Sequence, residues 1–212
     1  MAQVELPELE VAGLDRIGRG QGHDGLAFTG LAGERVAAED ASFLDCRFSA
    51  CSVDVADLRG ARANSCAADD LRLATLDLSS ASLSDIVLDG SRIGALDAHA
   101  ATFSRVTVRG CRFDYINFRG AELSSVQFLD CRIDEFDAGS ATLQYVRFRD
   151  CHLGRLDVRG ASLQDVDLTG ADFDALDGVG NLAGATIDEN QLTRLAGAFA
   201  AHLGVTVVAP RA

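Results

Sequence analysis

The stretch that decides the fold is ASLQDVDLTGADFDA, which runs from Ala161 to Ala175. Divided into blocks of five residues, it places an apolar residue at the third position of each block, namely Leu163, Leu168 and Phe173. The same frame extends without insertion or deletion back to Ala41, and more loosely to Leu26. A five-residue repeat therefore accounts for most of the chain.

A second period of twenty residues lies on top of the five. The first position of every fourth block is alanine, at Ala41, Ala61, Ala81, Ala101, Ala121, Ala141 and Ala161. Four blocks per turn describe a four-sided coil, and stacked coils that pair through their backbones lie about 4.8 Å apart. First and third positions then point inward, and the second, fourth and fifth positions face water. Small and large first residues alternate around the square, so we expect a solid interior filled by side chains.

These periods predict an all-β solenoid, a parallel β-helix of about eight coils with four pentapeptides per coil. We expect it to occupy residues 26–180, after an irregular cap over residues 1–25 with one strand around Val4 to Leu9. A recurrent glycine at the fifth position predicts corners with positive φ. The glycines concerned are Gly60, Gly90, Gly110, Gly120, Gly160 and Gly170.

The pattern resembles the pentapeptide-repeat family, whose loose consensus is a small residue, Asp or Asn, Leu or Phe, and two polar residues. The resemblance covers most of the chain and implies that the quadrilateral β-helix is right-handed. It is specific for the fold and much less so for function, because the same rod serves many purposes.

The five-residue frame ends near Gly180, and residues 181–212 are predicted to form a capping or dimerisation helix and a tail. Asp188 is expected to cap a helix that begins near Glu189 and ends at Gly204, with a short strand over residues 205–208. Its apolar stripe would cover the open end of the rod. A second interpretation adds a homodimer contact, because the tail resembles that of mycobacterial fluoroquinolone-resistance (Mfp-type) members, whose terminal helix joins two rods end to end. The stripe consists of Leu192, Leu195, Phe199 and Leu203.

Composition narrows the possible functions. The formal net charge is −13 and every basic residue is Arg, which argues against direct binding to nucleic acid or an anionic membrane. No basic leader and no apolar run of about 18 residues occurs, so we expect a cytoplasmic protein. The six cysteines all occupy first positions and are predicted to be buried thiols. We expect no enzyme, catalytic residue, cofactor or metal site, because neither nucleophile nor phosphate-binding motifs occur.

The acidic residues carry the functional hypothesis. One side of the square has a column of second positions, Asp57, Asp77, Asp97, Asn117, Asp137, Asp157 and Asp177. Asp at this position also belongs to the family consensus, so the column is either part of the coil or a charged surface. Residues 160–193 add seven acids without one basic residue. We predict a partner-binding surface formed by Asp137, Asp157, Asp165, Asp167, Asp172, Asp174 and Asp177.

Together with the resemblance, these features favour a DNA-mimicking protein that inhibits or protects a type II topoisomerase. The expected partner is bacterial DNA gyrase, whose DNA-binding saddle the protein would occupy, giving resistance to fluoroquinolones or to a self-produced topoisomerase poison. Some quinolone-resistance relatives carry loops that project from the rod. The unbroken frame from Ala41 to Ala175 leaves no room for one, which favours inhibition or self-immunity over drug protection. The alternative is a generic protein-interaction scaffold unrelated to topoisomerases.

Overall fold

The computed structural model describes residues 4–208, which wind into a parallel β-solenoid of about nine turns followed by one C-terminal helix. The predicted β-helix is confirmed. It has one turn more than expected, because strands already form before Leu26, and the first of them lies at Glu10–Ala12 rather than around Val4 to Leu9. Residues 1–3 of the predicted cap and 209–212 of the predicted tail lie outside the described residues.

The strands are short and follow the repeat closely. The first ten are β1 (Glu10–Ala12), β2 (Gly22–Asp24), β3 (Leu26–Thr29), β4 (Ala32–Ala37), β5 (Ser42–Leu44), β6 (Arg47–Ser49), β7 (Ser52–Asp57), β8 (Arg62–Asp69), β9 (Arg72–Asp77) and β10 (Ser82–Asp89). Then follow β11 (Arg92–Asp97), β12 (Thr102–Arg109), β13 (Arg112–Asn117), β14 (Glu122–Ser124), β15 (Gln127–Leu129), β16 (Arg132–Asp137), β17 (Thr142–Gln144), β18 (Arg147–Arg149), β19 (Cys151–Asp157), β20 (Ser162–Gln164), β21 (Val166–Asp167), β22 (Ala171–Asp177) and β23 (Ala185–Thr186). The helix α1 spans Glu189–His202, and short 3-10 helices occupy Leu14–Arg16 and Val179–Asn181.

Every strand pairs in parallel with the strand one turn away. Leu83 in β10 lies beside Ala63 in β8 and Phe103 in β12, so partners are separated by one twenty-residue period. The pairs build one sheet of fifteen strands and one of eight. Because the register equals the period, each position of the repeat becomes a straight column along the rod.

The corners of the coil lie at fifth positions. Glycines there have positive φ, for example Gly60 at 67° and Gly160 at 70°. Fifteen described residues other than glycine share this conformation, among them Arg105 and Tyr145. Gly170 was expected to have positive φ and does not. A Cβ there would lie 2.4 Å from the carbonyl oxygen of Phe148, so a close backbone approach requires glycine at this position.

The interior differs between two sets of coils. In residues 101–177, called the filled coils, every inward third position is buried. Residues 41–100, called the hollow coils, instead surround most of an internal cavity of about 180 Å³. The expectation of a solid interior is therefore wrong for the hollow coils, because small residues coincide there. The six cysteines are buried and free, as predicted.

The C-terminal end of the rod is covered by α1. Asp188 and Gln191 form a reciprocal capping box at the start of α1, and Gly204 follows the helix with φ 71°, as predicted. Gln191 is 1% exposed, and its Nε2 donates to the carbonyl oxygens of Leu168 and Ala171, both at 2.7 Å. These bonds fix the helix on the last coil. The short strand expected over residues 205–208 does not form.

Candidate functional site

Three acidic side chains are exposed on the last two coils and are called the terminal acidic patch: Asp165, Asp172 and Asp174. Asp165 occupies a corner with φ 53°, which turns its side chain away from the core. Asp172 and Asp174 lie at second and fourth positions of β22, and their side chains are 62% and 70% exposed. Strand alternation around inward Phe173 places both carboxylates outside the rod.

Cations near the terminal acidic patch come from outside its sequence segment. Arg194 of α1 reaches back so that its Nη1 donates to Oδ1 of Asp172 at 2.6 Å, while its guanidinium lies 5.8 Å from the ring of Phe173. This hydrogen bond lowers the pKa of Asp172 below its ordinary value. The imidazole of His152 lies 3.9 Å from Asp172 and 3.6 Å from Asp174. The patch is therefore only partly compensated by Arg194.

Two predicted contact residues, Asp137 and Asp157, do not face water as expected. Their side chains are 12% and 5% exposed. Oδ1 of Asp137 accepts from the backbone N–H of Gly139 at 2.8 Å, and Oδ1 of Asp157 accepts from that of Arg159 at 2.9 Å. The turn after each strand leaves an N–H that needs an acceptor, and a short carboxylate two residues earlier supplies it.

The same bond from residue i to the N–H of residue i+2 recurs at other corners. Its acceptors include Asp77, Asp97, Asn117 and Asp167. Asp177, another predicted contact residue, pairs with Arg155, whose Nε lies 2.6 Å from Oδ2. Of the two interpretations of the carboxylate column, its geometry favours the one in which the column is part of the coil.

Arginines balance the acids along the middle of the rod. The guanidinium of Arg159 contacts both oxygens of Asp157 and lowers the pKa of that carboxyl group, and Arg59 does the same for Asp57. Residues 101–160 contain nine arginines and eight acids, whereas residues 161–212 contain two arginines and seven acids. A count of charge by segment would have found this difference. The C-terminal end of the rod is therefore acidic next to a nearly neutral middle, while residues 1–100, with 17 acids and eight arginines, carry the rest of the net negative charge.

The predicted apolar stripe of α1 divides into two parts. Leu195 is 7% exposed and Phe199 is partly buried against the core, so these two belong to the cap. Leu192 and Leu203 are 51% and 74% exposed. They form, with three valines of the tail, a set of exposed apolar side chains called the terminal apolar patch: Leu192, Leu203, Val205, Val207 and Val208.

Sites of other kinds have little support. Within residues 4–208, no three His, Cys, Asp or Glu side chains are placed to share a metal ion. A surface groove lies between α1 and the last coils, lined in part by Asp150, Gln191 and Arg194. No helix in the described part of the chain is long and apolar enough to cross a membrane.

The five-residue frame, the parallel register and the turn-forming aspartates define a β-solenoid of the quadrilateral type. Residues 101–177 match the family model described as "Pentapeptide repeat region". Over this segment the chain is similar to the pentapeptide-repeat proteins.

Two solved structures are similar in fold. HetL, a pentapeptide repeat protein involved in heterocyst differentiation regulation from the cyanobacterium Nostoc sp. strain PCC 7120, shares 18% identity over 81% of this chain and 91% of its own, with a TM-score of 0.41. Full-length QnrB1, a plasmid-mediated fluoroquinolone resistance protein, shares 15% identity over 84% of this chain and 99% of its own, with a TM-score of 0.30. No curated protein matches the sequence. Neither structural likeness extends to function.

Proposed function

We propose that the protein is a DNA mimic that binds the positively charged saddle of a type II topoisomerase, DNA gyrase, and inhibits it. The observation that carries the proposal is the terminal acidic patch. Its three carboxylates are exposed within residues 161–193, a segment that contains no basic residue. Duplex DNA presents about one negative charge per 1.7 Å of its axis, so a saddle that holds DNA selects for dense acidic surfaces of this kind.

A homodimer through the terminal apolar patch increases the likeness to DNA. The patch adjoins the acidic end of the rod, so two copies joined there would bring their acids together at the centre of a double-length rod. The nearly neutral residues 101–160 would flank this centre. We therefore place the contact with the topoisomerase at the dimer junction, with Asp165, Asp172 and Asp174 as contact residues. Asp137 and Asp157 are buried, and Asp167 and Asp177 act in turns and ion pairs.

A gyrase supercoiling assay with a charge-reversal variant tests the proposal. Asp165→Arg combined with Asp174→Arg should raise the half-inhibitory protein concentration about tenfold or more, because attraction to the saddle becomes repulsion. Asp54→Arg is the matched control, since Asp54 is exposed at the equivalent fourth position of a distant coil. Inhibition should also weaken as salt rises from 50 to 200 mM, by screening. Absence of inhibition at micromolar wild-type protein would reject the proposal.

The dimer has its own test. Leu203→Glu should convert a dimer into a monomer in sedimentation equilibrium, because it places a charge in the terminal apolar patch without entering the core. Val11→Glu is the control, since Val11 is 76% exposed at the opposite end of the rod. A wild-type protein that remains monomeric at high concentration would remove the double-length rod and leave the interaction scaffold as the better interpretation.

Drug protection can be separated from inhibition in the same assay. Among the described residues from Ser42 to Asp177, the connections between strands are corners of the coil, and no loop projects from the rod. We therefore expect the protein to inhibit supercoiling without restoring activity to fluoroquinolone-treated gyrase. Restored activity at protein concentrations that do not inhibit would show protection instead.

A further inference from the structure

Two neighbouring inward columns lose a large side chain in the same turn. Ala63 lies between Phe43 and Leu83 in one column, and Ala68 lies between Phe48 and Leu88 in the next. Between residues 41 and 170, the third positions of these two columns are otherwise Phe, Leu or Val. First positions of the hollow coils are also small, at Cys51, Ala56, Ala61 and Cys66. One turn of the solenoid is therefore short of interior volume on two adjacent sides.

The missing volume forms part of the cavity of about 180 Å³, whose lining runs from Leu14 to Phe128. Ala63, Ala68, Leu58 and Leu88 point inward yet keep accessible surface, because they face this space. The third positions from Phe113 to Val158 in the filled coils are at most 3% exposed. The lining of the cavity extends along the axis as far as Phe118 and Phe128.

The lining offers no polar partner to a guest. Every lining side chain is a hydrocarbon or a thiol. The thiols already donate to backbone carbonyl oxygens, Cys51 to Phe28 at 3.4 Å and Cys66 to Asn64 at 3.2 Å. A water molecule needs two to four polar partners, so water is disfavoured here. An apolar cavity of roughly 150 Å³ in another protein stays dry and binds benzene or xenon.

The N-terminal end of the cavity is closed by a short segment rather than by a further coil. Leu14 and Ile17 line this end. Leu14 packs over Gly33, with its Cδ1 3.5 Å from the position that a Cβ would take there. The segment is held by few backbone bonds, such as Ile17 N–H to the Leu14 carbonyl oxygen at 3.0 Å. Opening of this segment would give a guest a route into the cavity.

We propose that the hollow coils form a binding site for one small apolar molecule of about the size of benzene, without hydrogen-bonding groups. Phe43, Leu73 and Leu83 supply wall surface, and the volume left by Ala63 and Ala68 receives the guest. The site is separate from the terminal acidic patch and does not depend on the proposed function.

Benzene titration of the full-length protein, followed by methyl NMR, tests the site. Saturable shifts are expected at Leu58, Leu73 and Leu88 and not at Leu153 or Leu168, together with a rise in Tm of a few degrees. Xenon should shift the same methyl signals. Phenol, which is similar in size, should bind at least about tenfold more weakly, because its hydroxyl group would be buried without a partner.

The double variant Ala63→Leu with Ala68→Leu should abolish the benzene shifts, because its side chains occupy the volume of the guest. If the double variant does not fold, Ala63→Val alone should reduce benzene affinity measurably. The proposal fails if saturating benzene and xenon leave the methyl signals of the wild-type hollow coils unchanged. It also fails if the shifts persist in the double variant, or if they appear equally at methyl groups of the filled coils.

Discussion

The hollow coils and the filled coils share one backbone and differ in their interiors. Both sets have parallel partners one period apart, left-handed corners at fifth positions, and alanine at the first position of each turn. In the filled coils the ring of Phe136 lies 5.4 to 5.6 Å from those of Phe118, Phe128 and Phe148. At the start of the hollow coils, the ring of Phe43 stacks on that of His23, and the ring of Phe48 stacks on that of Phe28. The next residues in these two columns are Ala63 and Ala68, where the stacks end.

Backbone order and interior packing are therefore separate properties of this solenoid. Hydrogen bonds between turns and residues at the corners suffice to continue the coil across a turn with an underfilled centre. In a repeat protein, stability is roughly a sum of local terms, so regions of unequal packing can open independently. We expect the hollow coils to open before the filled coils.

The largest expected effect comes from the same truncation in both regions. Leu73 and Leu153 occupy one column and are 8% and 0% exposed. Leu153→Ala should lower the free energy of unfolding by about 3–5 kcal/mol, and Leu73→Ala by about 2–3 kcal/mol, because Leu73 already borders empty space and loses fewer contacts. Urea denaturation of both variants measures the difference. Equal losses would contradict the distinction between the two regions.

Enlargement of an inward alanine should have opposite signs in the two regions. Ala138→Leu should destabilise the protein by about 1–3 kcal/mol, because Ala138 is fully buried among filled neighbours. Ala63→Leu should stabilise it by roughly 1 kcal/mol, since the cavity receives the added methyl groups. Thermal unfolding checks both signs. Destabilisation by Ala63→Leu comparable to that by Ala138→Leu would show that the hollow coils cannot accept volume.

The buried turn aspartates allow a comparison by pH. Arg159 lowers the pKa of Asp157, and Arg59 that of Asp57, but Arg35 also contacts Asp57. A carboxyl group with a depressed folded-state pKa contributes stability above its unfolded pKa of about 3.9, which is lost as pH falls through the folded pKa. Arg159→Ala should therefore cost about 1–2 kcal/mol at pH 7 and leave less stability to be lost on acidification, because the folded-state pKa of Asp157 moves back towards its unfolded value.

Arg59→Ala serves as the counterpart. It should change the stability at pH 7, and the loss of stability on acidification, by less than Arg159→Ala does, because Arg35 remains beside Asp57. Denaturation midpoints of both variants, measured at several values between pH 2 and pH 7, would compare them, because this range contains the ordinary pKa of Asp. A larger change in stability for Arg59→Ala than for Arg159→Ala would contradict this ranking.

The smallest effect is expected at the N-terminal end. His23 is 6% exposed, and its Nε2 has no hydrogen-bond partner. Burial, and then the charge of Arg16, lower the pKa of His23 below its ordinary value. The unfolded chain therefore binds a proton more readily, and stability should fall as pH drops through the unfolded pKa of about 6.5 towards the folded pKa.

His23→Phe should remove this dependence and stabilise the first coils by roughly 1 kcal/mol, because it eliminates a buried unpartnered nitrogen. Hydrogen exchange of backbone amides in β2 and β5, compared at pH 5 and pH 7, would detect both effects, since this range contains the ordinary pKa of His. An unchanged pH dependence in the variant would assign the effect to another group.

Much of the fold could be predicted because each repeat position has one environment. The third-position column predicted the core, Asp188 and Gly204 predicted the bounds of α1, and the cysteines at first positions predicted buried thiols. Gln191 was missed, since its two bonds to the last coil depend on how α1 crosses the end of the rod. Residues 205–208 were predicted as a strand from composition alone, and no neighbouring edge pairs with them.

The candidate site was less predictable. The sequence predicted seven acids as one surface, and strand alternation predicted all of them to be exposed. Exposure of Asp165, Asp172 and Asp174 agrees with that expectation. Asp137 and Asp157 instead accept hydrogen bonds from the backbone of their own corners and are covered by Arg119 and Arg159. The short, charged side chain of Asp can face water or accept a hydrogen bond from the backbone of a corner. Its position in the five-residue repeat does not distinguish these two environments.

By itself, the sequence determined the period, the register, the corners and the uneven charge of this protein, because each is a property of a column of residues along the chain. Only the tertiary structure decided which acids stay exposed, which arginines reach them across turns, and where the interior is empty. Cavity volume depends on the sum of side chains that meet from all four sides of a turn, and Ala63 and Ala68 leave space only because the opposite sides do not compensate.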